Sequence, residues 1–160
     1  MSQTSVTFEE SFAVPPEVLF DALLDHEGMS RWLDAKISVV RPPEDGGDGV
    51  GAIRRIHAPF GGVDEEVTYV LRPRRIVYRI VRGAPGVRFH RGEILIEPWG
   101  ETGSQLTWNI LLDSAVPGLA ALIGAAVRAA FRKGFGKLRA LLADSYSSSS
   151  AGRSAAGSQP

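Results

Sequence analysis

Residues 117–146 read PGLAALIGAAVRAAFRKGFGKLRALLADSY. Leu119, Leu122, Ile123, Ala126, Ala130, Phe131, Phe135, Leu138 and Leu142 recur at steps of three and four, the repeat of one helical face. Pro117 suits a first helical turn, and Asp113 or Ser114 just upstream can accept amide protons that a helix start leaves unpaired. At 1.5 Å per residue the helix would run for about 40 Å, so a broad surface must cover its apolar side. Only the strands between Val6 and Leu112 are available to do so. The spacing therefore predicts an α+β fold in which one curved antiparallel sheet wraps a long C-terminal helix. Ala120, Ala121, Gly124, Ala125 and Ala126 make the first half of that helix small-sided. Small side chains at a helix–sheet junction leave space, and that space is the expected seat of function.

Working outward from the helix, the chain before it divides into strands and turns. Val6, Phe8, Phe12 and Val14 alternate with polar residues and predict a first strand, with Glu10 on its apolar side, facing a cavity or, by preference, lying at the sheet's rim. Pro15-Pro16 ends it. PEVLFDALLD then predicts a short helix burying Val18, Leu19, Ala22 and Leu23, broken by Gly28. A second short helix, MSRWLD, turns Trp32 and Leu33 inward. Strands are predicted over residues 36–40, 50–58, 63–71, 76–82, 87–97 and 105–112, which makes about seven in all. The breaks between the later ones are short, so neighbours pair as antiparallel hairpins. The glycine-rich run at 41–51, RPPEDGGDGVG, feeds a strand and no helix, so it reads as a loop over a pocket mouth and not as a phosphate cradle. Residues 147–160, SSSSAGRSAAGSQP, lack large apolar side chains and are expected to be a disordered tail after a single domain spanning 1–146.

Alternation and hairpin pairing together select one face of the sheet. That face is expected to carry Arg54, Glu65, Val67, Tyr69, Tyr78, Ile80, His90, Ile94, Trp108 and Ile110. Trp32 and the helix residues Leu122 and Ala126 complete the predicted ligand cavity. An apolar hollow with a few convergent polar groups is the usual form of a small-molecule site. Arg54 and Glu65 are placed for a diagonal ion pair. Each polar residue has two open readings: Arg54 with Glu65 as structural partners or site groups, and Tyr69, Tyr78, His90 and Trp108 as core or cavity wall. A bulge would reverse the facing of every residue beyond it, with Gly51 and Gly92 the expected places.

Composition bounds the function. The chain has 160 residues and a formal net charge of zero, which gives no electrostatic case for nucleic acid or an anionic membrane. It contains no cysteine, which excludes disulfides and thiolate chemistry. There is no basic leader and no apolar run of about 20 residues, so a cytoplasmic protein that does not insert into membranes is expected. The basic side chains Arg128, Arg132, Lys133, Lys137 and Arg139 form the helix's polar face, with an interfacial helix as the minor alternative. His26, His57 and His90 lack metal-ligand spacing, and no nucleophile motif is present. No metal and no cofactor are expected. Any catalysis would be acid–base work by Tyr78, His90 or Arg54 in a dry pocket.

FAVPPEVLFDALLDHEGMSRW, VGAIRRI, EEVTYVLRPRRIVYRI and QLTWNI followed by the long helix resemble, in order and spacing, the polyketide cyclase/dehydrase and lipid-transport group of the START-like SRPBCC superfamily. The likeness spans nearly all of the chain up to Tyr146. It implies the helix-grip fold and a deep apolar cavity for a hydrophobic small molecule such as a lipid or a polyketide-like aromatic. Arg54, Tyr78, Trp32 and Trp108 match recurrent positions of the group. In its cyclases such residues, with histidine, are thought to orient the chain and assist enolisation. Three functions follow as expectations: a carrier, a cyclase or dehydratase-like enzyme, or a protein-interaction module, acting as a monomer or weak homodimer.

Overall fold

The alternation along the last strand of the chain is carried into the structure without a fault. Strand β7 (Gly103–Ser114) buries Ser104, Leu106, Trp108, Ile110, Leu112 and Ser114 and leaves the residues between them half-buried. A computed structural model describes residues 2–44, 46, 49–59 and 61–155. Seven strands form one antiparallel sheet in the order β1-β7-β6-β5-β4-β3-β2. They are β1 (Ser2–Phe12), β2 (Ile37–Arg41), β3 (Ile53–Ala58), β4 (Gly61–Leu71), β5 (Arg75–Arg82), β6 (Val87–Trp99) and β7. β2 to β7 are a continuous meander; from β3 onward each turn is too short for anything but a hairpin. β1 joins its far edge by pairing with β7, Val6 opposite Ile110 and Phe8 opposite Trp108. The strand ends fall within a few residues of those predicted. The expected loop at 41–51 contains residues 45, 47 and 48, which lie outside the described residues, as does Phe60 in the turn before β4.

Helix α1 (Pro16–Leu24) opens at Pro15, whose carbonyl accepts the Val18 and Leu19 amides. It buries Leu19, Phe20 and Leu23 against β6 and β7, so its inner arc is rotated toward Phe20 from the one predicted. A 3-10 turn (Gly28–Arg31) follows and delivers Trp32 and Leu33 to the core.

Helix α2 (Leu119–Ala155) lies along β1 and β7. It differs from expectation at both ends. Pro117 precedes it in a turn, with Gly118 at φ 77°. The Ser114 hydroxyl accepts the Val116 amide at 3.0 Å and donates to the Gly86 carbonyl at 2.8 Å, so it ties the helix entrance to the β5–β6 turn and caps nothing inside the helix. At the other end α2 runs on through Ala155, past the domain end expected at Tyr146; residues 156–160 lie outside the described residues. Starting a helix is the costly step, and adding residues to a formed one gains a hydrogen bond each. The packed turns up to Leu142 supply the start. Ser148 and Ser150 donate their hydroxyls to the carbonyls of Asp144 and Ser147. Among the described residues no helix is long and apolar enough to cross a membrane.

Two glycines set how closely α2 approaches. A Cβ on Gly124 would lie 2.8 Å from Thr4 Cγ2, and one on Gly134 would lie 3.1 Å from the Trp32 carbonyl. Between and beyond them the helix drives Phe131 and Phe135 into an aromatic cluster. Phe135 stacks on Trp32 at 6.1 Å and meets Phe8 edge-on at 5.5 Å; Phe131 meets Trp108 edge-on at 4.7 Å. Glu10 sits at the rim as expected and accepts a hydrogen bond from Arg139 of α2 at 2.8 Å.

The register shifts in the β2–β3, β4–β5 and β6–β7 ladders, and two irregularities bear on the expected site. Val67 is opposite Tyr78, yet Tyr69 is opposite Val77, so Thr68 is a bulge. Its hydroxyl bonds the Val77 carbonyl at 3.2 Å. Beyond it Val70 faces the core, while Tyr69 and Leu71 face outward, which corrects the expected facing of Tyr69. The bulge falls at neither Gly51 nor Gly92. Second, among the described residues the β5–β6 ladder stops at the Tyr78–Gly92 pair. Further toward the hairpin tip β5 stays with β4 and β6 stays with β7, so the sheet forks.

Phe135 of α2 is 1% exposed and packs at once on Phe8 and Phe12 of β1 and on Trp32 just after the 3-10 turn. Phe135→Ala should therefore destabilise the protein by about 3–5 kcal/mol, read as a lower urea midpoint at unchanged slope.

Candidate functional site

Where the first half of α2 passes over β3–β7, the packing does not close. Ile123, Ala126, Val127 and Ala130 face the sheet across a cavity of about 570 Å³. Phe131 forms its inner limit, with Trp108 behind that ring. The β5–β6 turn, residues 83–85, and the segment after the 3-10 turn, Asp34 and Ala35, stand at its mouth. Asp34 is fastened there to α2 by Lys133 and by Lys137 at 2.7 Å. These two hydrogen-bonded ammonium groups lower its carboxyl to about 2.

Arg54 and Glu65 occupy the cavity wall as directly opposed residues of β3 and β4, not as a diagonal pair. Arg54 Nε and Nη2 reach one oxygen of Glu65 at 2.9 and 2.8 Å, and Nη1 points at the Met29 sulfur at 3.1 Å. The two residues are 4% and 7% exposed, so the charges compensate each other out of water. The guanidinium also lies 4.7 Å from the Tyr78 ring centroid, a cation–π contact.

Tyr78 is held in a slot that glycine makes. A Cβ on Gly92 would fall 2.0 Å from the ring, so Gly92 is what allows the phenol to lie across β6. The Tyr78 oxygen accepts the Trp108 indole N–H at 2.8 Å. Burial, and next the Glu65 charge, push the phenol far above its ordinary value, so it stays protonated. His90 stands in the fork. Its Nδ1 accepts the Ile80 amide at 3.1 Å, replacing a missing backbone rung. Burial lowers its pKa, so the ring is neutral with its proton on Nε2. Its basic lone pair is therefore already used, which removes it as a ready general base.

Seven of the predicted cavity residues stand on this wall: Arg54, Glu65, Tyr78, Ile80, His90, Ile110 and Ala126. Six do not. Trp32 and Trp108 are buried in the aromatic cluster, and Val67 and Ile94 are core. Tyr69, beyond the bulge, is 44% exposed and carries the Arg75 guanidinium over its ring at 5.5 Å. Leu122 is 69% exposed, because the inward arc of α2 runs through Leu119, Ile123, Ala126 and Ala130, one position round. The sequence reading missed Met29, Asp34, Val63 and the turn at 83–85 as cavity residues. Asp34 had a signal, since Lys133 and Lys137 share its side of the helix one turn apart. The described residues of the loop at 41–51 do not line the cavity.

His26 is 1% exposed, and burial, with the Arg54 charge as the second cause, lowers it to about 3. Its folded pKa lies below the ordinary value of 6.5, so the folded state binds fewer protons than the unfolded one. The stability it contributes is whole above that ordinary value and is lost as pH falls toward the folded one. His90 acts in the same direction. Thermal midpoints taken from neutral pH down to about pH 5 should fall, and His26→Gln should flatten the decline. In the ion pair, Arg54→Met alone strands Glu65 and should cost about 3–5 kcal/mol, whereas Arg54→Met with Glu65→Leu should recover most of it in a double-mutant denaturation cycle.

The arrangement has counterparts in known proteins. A START superfamily protein from Mycobacterium smegmatis superimposes with a TM-score of 0.71 at 13% identity, covering 88% of this chain and 97% of that one. A Thermobifida fusca protein gives 0.71 at 17% identity over 86% of this chain and 92% of its own. A Mesorhizobium loti protein gives 0.66 at 23% identity over 88% and 97%. At these identities the likeness speaks for the fold alone. No curated protein matches the chain in sequence. The family described as polyketide cyclase/dehydrase and lipid transport, however, matches residues 3–143, from the first strand to the last packed turns of α2. The chain belongs to the polyketide cyclase/dehydrase and lipid-transport family.

Proposed function

We propose that this protein binds a hydrophobic small molecule, a lipid or a polyketide-like aromatic, inside the cavity under α2, and carries or sequesters it. The observation that carries this reading is a hollow of about 570 Å³ lined by apolar side chains apart from Asp34, Arg54, Glu65, Tyr78 and His90. That volume lies within the range of about 300–1,000 Å³ usual for small-molecule sites. The family's description, with both cyclisation and lipid transport in it, supports the ligand class.

Carriage is favoured over catalysis by the state of the polar groups. A cyclase or dehydratase needs a base and an acid near neutrality. Here Tyr78 is held protonated, His90 has its lone pair on the Ile80 amide, and Arg54 and Glu65 neutralise each other. A module acting through protein contacts needs no such hollow.

Ala126 lines the cavity with a methyl group only. Ala126→Trp should fill it, lowering the affinity for N-phenylnaphthylamine, read by fluorescence titration, at least about tenfold. Native mass spectrometry of the purified wild type should show a co-purified adduct that the variant lacks. Equal dye binding by the two proteins would place the ligand elsewhere and defeat the proposal.

A further inference from the structure

The cavity wall carries charges, and each is compensated by an opposite charge of the protein. Arg54 has Nε and Nη2 on Glu65 and Nη1 at Met29, with Tyr78 against its face. Glu65 meets Nε and Nη2 with one oxygen, so the two charges compensate each other. Asp34, at the mouth, is held by two lysines. A carboxylate entering this hollow would have to shed its water without a partner, or take Arg54 from Glu65 and leave that carboxylate stranded; a buried ion without a partner is strongly disfavoured. An ammonium group meets the converse obstacle. Beyond the ion pair the cavity wall offers a hydrogen-bond donor in His90. His90 Nδ1 accepts from Ile80, so its other ring nitrogen carries a proton to give.

We propose that the cavity selects an uncharged ligand carrying a hydrogen-bond acceptor such as a ketone or ester carbonyl, takes that acceptor on His90 Nε2–H, and rejects the corresponding carboxylate. This narrows the ligand class and rests on the carrier reading above. Free fatty acids and acidic aromatics are thereby excluded from the deep cavity, and esterified lipids, ketones and quinone-like aromatics are admitted.

Three dimethylaminonaphthalene probes of nearly equal size test it at neutral pH: one bearing a propionyl group, one a carboxylate, one a propyl group. The expected result is that the propionyl probe binds wild type about a hundredfold more tightly than the carboxylate. Its bound emission should be that of a hydrogen-bonded carbonyl, at longer wavelength than in an alkane. In His90→Phe, checked for folding by its melting curve, the propionyl probe should lose about tenfold while the propyl probe keeps its affinity. Equal or tighter binding of the carboxylate overturns the selection for uncharged ligands and leaves the carrier reading intact. Alkane-like emission from the bound propionyl probe overturns the role of His90 without requiring any variant to fold. Failure of all three probes to bind overturns the carrier reading itself, and this inference with it.

Discussion

Everything in this protein depends on how α2 is fixed to the sheet by its middle and not along its whole length. Phe135 and Phe131, wedged among Phe8, Phe12, Trp32 and Trp108, secure one stretch. Gly124 and Gly134 allow the helix backbone to approach β1 and Trp32 closely. Between these contacts the helix offers Ala126 and Ala130, which cannot reach the opposite wall. An ordinary core would fill such a gap, since voids in packed interiors forfeit dispersion contacts. Here the aromatic cluster bears the stability, and the small-sided stretch is left to form the hollow.

The polar groups in the hollow are consistent with that division. Arg54, Glu65, Tyr78 and Trp108 form one chain of contacts, from ion pair through cation–π to indole hydrogen bond, with Gly92 cut away to admit the phenol. Each member is held by another part of the protein before any ligand arrives. The site is thus preorganised, and it has few unspent hydrogen bonds to offer.

Much of this was legible in the residues. The helical repeat from Leu119 to Leu142, the short turns and the alternation along β7 are properties of local periodicity, and they gave the architecture and seven residues of the cavity wall. What escaped was set by tertiary geometry. Thr68 carries no turn residue to betray a bulge, yet one extra residue there moved Tyr69 from wall to surface. Leu122 belongs to the helix's apolar repeat, but the sheet meets a narrower arc than the repeat covers. The serine-rich end reads as disorder in isolation and continues as helix because the preceding turns have already been nucleated by packing.

The fork between β5 and β6 has a mechanical meaning. Elsewhere in the sheet, parting two neighbours breaks a run of backbone rungs. Beyond Tyr78 and Gly92, among the described residues, an imidazole bridges the gap through one hydrogen bond to the Ile80 amide. A second hollow of about 440 Å³ at the same hairpin shares Ile80, the turn residues 83–85, Val87 and His90 with the first. The wall has a seam, stitched by a single imidazole, and the seam runs directly beside the chamber.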